Sequence, residues 1–241
     1  MLRVLILYCL MLLSNAYKII SIAPGGLKGF YTLGICKYLK ENYYLDDYRF
    51  YGSSAGSWNS VFLALPSTDD NYYFDSILKI KPEQYSNLNE LEICLKNIIL
   101  NEPSIKENNT SIASLNQKCN ICISEYKGYR FKKMIKSEFE NWEDILECCI
   151  ASSHIPYVSN GKLFYRYQNK KVIDGGLFRK NYPKNVNVDL FISHKMFHNN
   201  KEIRKYSKMK NLDIESLIYS GYKDAREHFG YFQKKMSNNK I

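Results

Sequence analysis

The stretch Tyr48-Arg49-Phe50-Tyr51-Gly52-Ser53-Ser54-Ala55-Gly56-Ser57-Trp58-Asn59-Ser60-Val61-Phe62-Leu63-Ala64-Leu65 decides how the chain is read. The apolar and aromatic residues Tyr48 to Tyr51 predict the end of a buried strand. Ser57 to Leu65 predict a helix, stopped by Pro66. Between them lies G-x-S-x-G, and strand, G-x-S-x-G, helix is the context in which that pattern carries chemistry. Gly52 and Gly56 leave room for the backbone to double back. The hydroxyl of Ser54 then stands at a helix N-terminus, whose amides and dipole favour a developing negative charge. Taken alone, five such residues also suit a small-residue turn that merely caps a helix.

The flanking chain narrows the choice. Lys18 to Ala23 predict a buried strand, Pro24-Gly25-Gly26-Leu27-Lys28-Gly29 a glycine-rich loop, and Phe30 to Lys40 a helix. A glycine loop between strand and helix exposes amides that hold an anion, either a phosphate or the oxyanion of acyl transfer. The spacing G-x-x-x-x-G-K-[ST] is absent, and Pro24 stands where G-x-G-x-x-G needs its first glycine. An elbow one strand-helix-strand unit later favours the oxyanion.

Further on, Tyr72 to Ile80, Asn89 to Leu100 and Tyr129 to Phe139 have helical periodicity. Asn101 to Lys118 is polar and is expected as a surface loop. Asn141 predicts the cap of a helix from Trp142 to about Ser152. Leu163 to Tyr167 and Lys171 to Ile173 predict a hairpin across Gln168-Asn169-Lys170, which delivers Asp174-Gly175-Gly176 at a strand end. Val186 to Ser193 predict another strand, and Leu212 to Phe232 an amphipathic helix.

The 241 residues suit one large domain. The net charge of +10 points to an anionic partner, with a membrane surface, nucleic acid or an acidic substrate as the classes. The lysines form no dense run, and no nucleic-acid-binding module is visible, so no nucleic-acid partner is expected. Met1 to Ala16 reads as a signal peptide or N-terminal anchor: Arg3, the apolar run Val4 to Leu13, then Ser14-Asn15-Ala16. The run is shorter than the about twenty residues of a membrane span. A secretory route, secreted or membrane-associated, follows, or a cytoplasmic location if the segment is not a signal. The sequons at Asn108 and Asn109 fit secretion. Apart from Cys9, the cysteines Cys36, Cys94, Cys119, Cys122, Cys148 and Cys149 suit burial or disulfides better than zinc, since a second C-x-x-C is missing.

A serine hydroxyl needs a neighbouring base to become a nucleophile. Ser54, Asp174, then His194 or His198 would satisfy the serine, acid, histidine order of an α/β-hydrolase. That fold builds several strands before its elbow, whereas one strand precedes this one. Asp174, marked by its own glycines, is the better partner.

The ordered trio Gly25-Gly26-Leu27-Lys28-Gly29, Gly52-Ser53-Ser54-Ala55-Gly56 and Asp174-Gly175-Gly176 resembles the patatin-like phospholipase family. Gly34 to Leu39, Ala151-Ser152-Ser153-His154-Ile155-Pro156 and the run from Asp174 to Pro183 follow the same pattern, so that residues 17–241 read as one such domain. The resemblance implies a three-layer α/β/α domain with a mostly parallel central sheet, and hydrolysis of phospholipid or related acyl esters by a Ser-Asp dyad through an acyl-enzyme. It implies Ser54 as nucleophile, Asp174 as general base, the amides of Gly25, Gly26 and Lys28 as oxyanion hole, Gly29, Gly52, Gly56, Gly175 and Gly176 as motif glycines, and neither metal nor cofactor. The family's loop begins with three glycines, and here Ala23-Pro24 replaces the beginning. An impaired lipid-binding relative and a Ser-Asp-His esterase are the alternatives.

Overall fold

The computed structural model describes residues 17–65, 70–106, 111–177, 187–197 and 208–236, with Ile203 and Lys205. The expected leader at 1–16, Pro66, the sequon asparagines Asn108 and Asn109, Phe178 to Pro183 and His198 lie outside the described residues.

Strand β1 (Lys18–Ile22) leads through the glycine loop into α1 (Gly29–Asn42), and β2 (Tyr48–Ser53) returns parallel to β1, with Ile22 opposite Gly52. The elbow helix α2 (Ala55–Ala64) follows, then α3 (Asp70–Leu78), α4 (Leu88–Leu100), α5 (Pro103–Lys106) and α6 (Ile112–Lys118). Next come β3 (Cys119–Tyr126), β4 (Phe131–Lys136) and α7 (Trp142–Ser153). The chain continues through β5 (Tyr165–Tyr167), β6 (Lys170–Asp174), β7 (Leu190–Ile192), α8 (Ile214–Glu227) and α9 (Phe229–Lys235).

The sheet order is β5-β6-β3-β2-β1-β7, and β4 also pairs with β3. Strands β3, β2, β1 and β7 are mutually parallel, while β4 and β6 run against β3 and β5 runs against β6. The sheet is therefore mostly parallel by strand direction, and the helices surround it as an α/β/α domain. Residues Cys119 to Glu125 of β3 are all buried, as expected of a strand covered on both faces.

Three expectations need correction. Tyr129 to Phe139 is not a helix but contains β4: Gly128, at φ 74°, turns the chain, and pairing with β3 outweighs the spacing of Phe131, Met134 and Ile135. The polar stretch Asn101 to Lys118 forms α5 and α6, anchored by buried Ile105 and Leu115, with Ser111 capping α6. The C-terminal helix breaks at His228 into α8 and α9. Elsewhere the readings hold to within a few residues at element ends. Asn141 caps α7 by accepting from the Asp144 amide at 2.9 Å. Gln168 and Asn169, at φ 46° and 62°, form the tight turn of the β5–β6 hairpin.

The six described cysteines are free, and all but Cys94 are buried. Burial pushes the thiols of Cys36, Cys119, Cys148 and Cys149 up, so they act as small packing groups without disulfides. Among the described residues, no group of three or more His, Cys, Asp or Glu is placed to hold a metal, and no helix is long and apolar enough to cross a membrane.

Candidate active site

Adjacent residues of β3 bring the two marked strand ends together. Cys122 pairs with Ser53, the last residue of β2, and Ile123 pairs with Asp174, the last of β6. The elbow serine and the aspartate, far apart in sequence, consequently meet at one edge of the sheet. The Ser54 hydroxyl stands near enough to the Asp174 carboxylate to favour its ionised form.

Each partner is held from several sides. Ser54 has φ 55° and ψ −132°, a conformation that costs a non-glycine residue about 1–3 kcal/mol and persists only where the surroundings enforce it. Its amide donates to Ser152 Oγ at 2.9 Å, and its carbonyl accepts from the Ser57 hydroxyl at 2.6 Å. The flanking glycines permit the close approach: a Cβ on Gly56 would lie 2.3 Å from the Ile22 carbonyl oxygen, and one on Gly52 2.3 Å from that of Gly56. Ser152 is the common fastener. Its hydroxyl donates to the Cys122 carbonyl at 2.6 Å, and its carbonyl accepts from the Gly175 amide at 2.8 Å. The Asp174 amide donates to the His154 carbonyl at 2.8 Å.

Asp174 is 4% exposed. Burial pushes its carboxyl above the usual aspartate value. The Ser54 hydroxyl, the amides of Gly176 and Leu177 and the charge of Lys133 work in the opposite direction. The Gly176 amide reaches Oδ1 at 2.5 Å. The carboxylate thus keeps specific donors while being shielded from water, a setting that suits a proton acceptor.

The glycine loop stands beside the elbow. Gly26 has φ 54°, and Gly26–Lys28 forms one 3-10 turn into α1. Asn59 of α2 clamps this entry, donating to the Gly29 carbonyl at 3.1 Å and to Thr32 Oγ1 at 2.7 Å. Of the expected oxyanion donors, the Lys28 amide is already engaged with the Gly25 carbonyl at 3.2 Å. Among the described residues, the amides of Gly25, Gly26 and Leu27 have no such partner. Pro24 sets the entry to the loop and lies against Gly176, where an added Cβ would fall 2.6 Å from the ring.

Ser54, Gly26 and Leu27 open on a pocket of about 540 Å³ of empty space, of which about 50 Å³ admits the centre of a water molecule. Its walls are Phe30, Trp58, Tyr73 and Ile77 with the α4 residues Leu88, Leu91 and Leu95. One lining residue is acidic. Glu92 is 3% exposed, and burial, together with the nearby Asp174 charge, pushes its carboxyl up to about 8 against the opposing influence of Ser153. The sequence reading assigned Ser152 and Glu92 no role. Glu92 left one signal, an acid inside the apolar row Leu88, Leu91, Leu95, Ile99.

The histidines lie apart from the pair. His154 Nε2 faces the Lys162 carbonyl at 3.1 Å, and His228 Nδ1 faces the Asp224 carbonyl at 2.8 Å. His194 is pushed down to about 4 by burial and by the charges of Lys28 and Lys195. Among the described residues, no imidazole of the three hydrogen-bonds Ser54 or Asp174.

Among solved structures, VipD from Legionella pneumophila is similar with a TM-score of 0.42 at 12% identity. That likeness covers 73% of this chain and 49% of the other, so the chain spans about half the length of that structure. No curated protein matches the sequence. The sequence model of patatin-like phospholipases matches residues 20–186, from β1 across the glycine loop, the elbow and Asp174. This chain belongs to the patatin-like phospholipase family.

Proposed function

We propose that this chain is a serine lipid acyl hydrolase acting on phospholipids or related acyl esters through Ser54 and Asp174. The observation that carries the reading is the strained Ser54 beside a buried carboxylate at the mouth of an apolar pocket. In this reading Asp174 takes the hydroxyl proton as Ser54 Oγ attacks the ester carbonyl. The oxyanion forms beside the Gly25, Gly26 and Leu27 amides, and such donors typically contribute ~2.7–4 kcal/mol each. Asp174 returns the proton to the leaving alkoxide, and the acyl group stays on Ser54 with its chain in the pocket. Water, deprotonated by Asp174, then releases the fatty acid and restores the serine.

Acyl release from a panel of phospholipid vesicles tests this. Wild type should release fatty acid and be labelled by a fluorophosphonate, and Ser54→Ala should do neither. Equal release or equal labelling would remove Ser54 from the chemistry. Lipid binding without release in wild type would leave a binding protein in its place.

A further inference from the structure

The sheet continues past the catalytic strand ends. Strand β3 runs four residues beyond Cys122, which pairs with Ser53, so at about 3.3 Å per residue its tip stands roughly 13 Å past the elbow. Over this length β4 lies on one side of β3 and the β5–β6 hairpin on the other. Tyr126 of β3 stacks on Phe164, just ahead of β5, with ring centroids 4.9 Å apart. The result is an extension in the order β4-β3-β6-β5, with Asp174 at its base.

The extension gathers charge that the sequence spreads. Five cations and no acid lie between Tyr126 and Ser137, and four cations and no acid lie between Asn160 and Ile173. Against a net charge of +10 for the whole chain, these two segments hold most of the excess. Lys127, Arg130, Lys132, Lys162, Arg166 and Lys171 are exposed. Glu125 of β3, buried and paired with Lys127 at 2.5 Å, offsets one of them. Lysines on an edge strand such as β4 also discourage pairing with another chain. That account does not reach Lys171, on the inner strand β6, or Lys162, in a loop.

Large apolar groups are exposed among these charges. Tyr129, at the β3–β4 turn, is 82% exposed, and Arg130 lies 5.4 Å from the centre of its ring. Phe131 is exposed at the start of β4, and Tyr157, Val158 and Leu163 are exposed ahead of β5. Cations attract anionic headgroups, and amphipathic rings favour the boundary between headgroups and acyl chains. A nucleic acid would use the cations and rings but would leave the aliphatic Val158 and Leu163 in water.

We infer that this extension is the surface by which the chain docks on an anionic lipid bilayer. Its cations meet the headgroups, and Tyr129 and Phe131 enter the interface beside them. The choice of a lipid partner rests on the reading of the chain as a lipid acyl hydrolase, whereas the place of the surface rests on the fold.

Docking is measured on Ser54→Ala protein, so that turnover leaves the vesicles intact, with mixed phosphatidylcholine and phosphatidylserine vesicles at 0.1 M salt. Arg130→Glu, Arg166→Glu and Lys171→Glu combined should weaken binding about a hundredfold. The same charge change at the exposed Lys210, Lys234 and Lys235, outside the extension, should cost less than about tenfold. Equal losses would show that net charge alone matters and overturn the inference. A second measurement keeps the charges and stands even if the triple variant fails to fold. Tyr129→Trp should gain emission that brominated lipid quenches, and Gln233→Trp, exposed on α9, should not. Quenching of both or of neither would overturn the inference, as would a triple variant that loses oligonucleotide binding but keeps vesicle binding. Turnover of dissolved p-nitrophenyl butyrate by the chain with Ser54 intact separates the two readings. Docking through the extension without hydrolysis removes the hydrolase and leaves the surface. Hydrolysis together with vesicle binding indifferent to the triple variant removes the surface alone.

Discussion

Asp174 is the residue on which opposing influences meet. Burial favours its protonated form, and Ser54, Gly176, Leu177 and Lys133 favour the carboxylate. In the proposed mechanism Asp174 is the general base and works only when ionised, so activity should rise with pH through a midpoint set by this balance. Lys133 is the contributor that can be removed without touching the nucleophile or the backbone donors. Lys133→Met takes away a positive charge that favours the carboxylate, so the midpoint of the acid limb of kcat/KM should move to higher pH. The plateau above it should change by less than about threefold, or ~0.7 kcal/mol in the barrier. A pH profile identical to wild type would show that Lys133 does not tune Asp174 during catalysis.

Among the elements, the pairing of α1 with α8 holds the glycine-loop helix in place. The helices cross where neither has a side chain: a Cβ on Gly34 would lie 2.0 Å from the Ile218 carbonyl oxygen, and one on Gly221 1.9 Å from that of Tyr31. Tyr31 and Asp224 lock the crossing with a hydrogen bond at 2.5 Å. Gly221→Ala should force the helices apart and destabilise the fold by about 1–3 kcal/mol, the usual cost of overpacking, despite alanine's better helix propensity. Thermal unfolding measures this, and an unchanged or raised Tm would show that the crossing yields freely. Gly34 was legible as part of a family pattern, but its close approach to the Ile218 backbone of α8 depends on a tertiary crossing that local sequence does not encode. The same distinction holds for the site. Ser54 and Asp174 were legible because glycines mark both strand ends. Ser152 was not, because its role exists only once β2, β3 and β6 converge on it. Strand β3 was missed because a strand buried on both faces lacks alternation, and β4 because Phe131, Met134 and Ile135 imitate a helix.

At the scale of the whole molecule, charge and exposed apolar groups bear on how a water-borne chain would reach a lipid. The net charge is +10, with lysine scattered along the sequence. Tyr157, Val158 and Leu163, in the segment between α7 and β5, are 66%, 63% and 40% exposed, and Leu177, three residues after Asp174, is 45% exposed. The first segment is tied to the site, since Asp174 donates to the carbonyl of His154. Two attractions of different range should therefore act at a membrane. The electrostatic one is long-ranged and worth about 1 kcal/mol per well-placed cation at an anionic surface, but it shrinks as the screening length falls from about 10 Å at 0.1 M salt to about 3 Å at 1 M. The apolar one is short-ranged and nearly indifferent to salt. Co-sedimentation with phosphatidylserine-containing vesicles should accordingly exceed that with phosphatidylcholine vesicles at low salt, and most of the difference should vanish near 1 M. The remainder should fall in a Tyr157→Ser, Val158→Ser double variant, whose anionic preference at low salt should persist. Binding equal on both vesicle types and unmoved by salt would show that the basic charge plays no part in reaching the lipid.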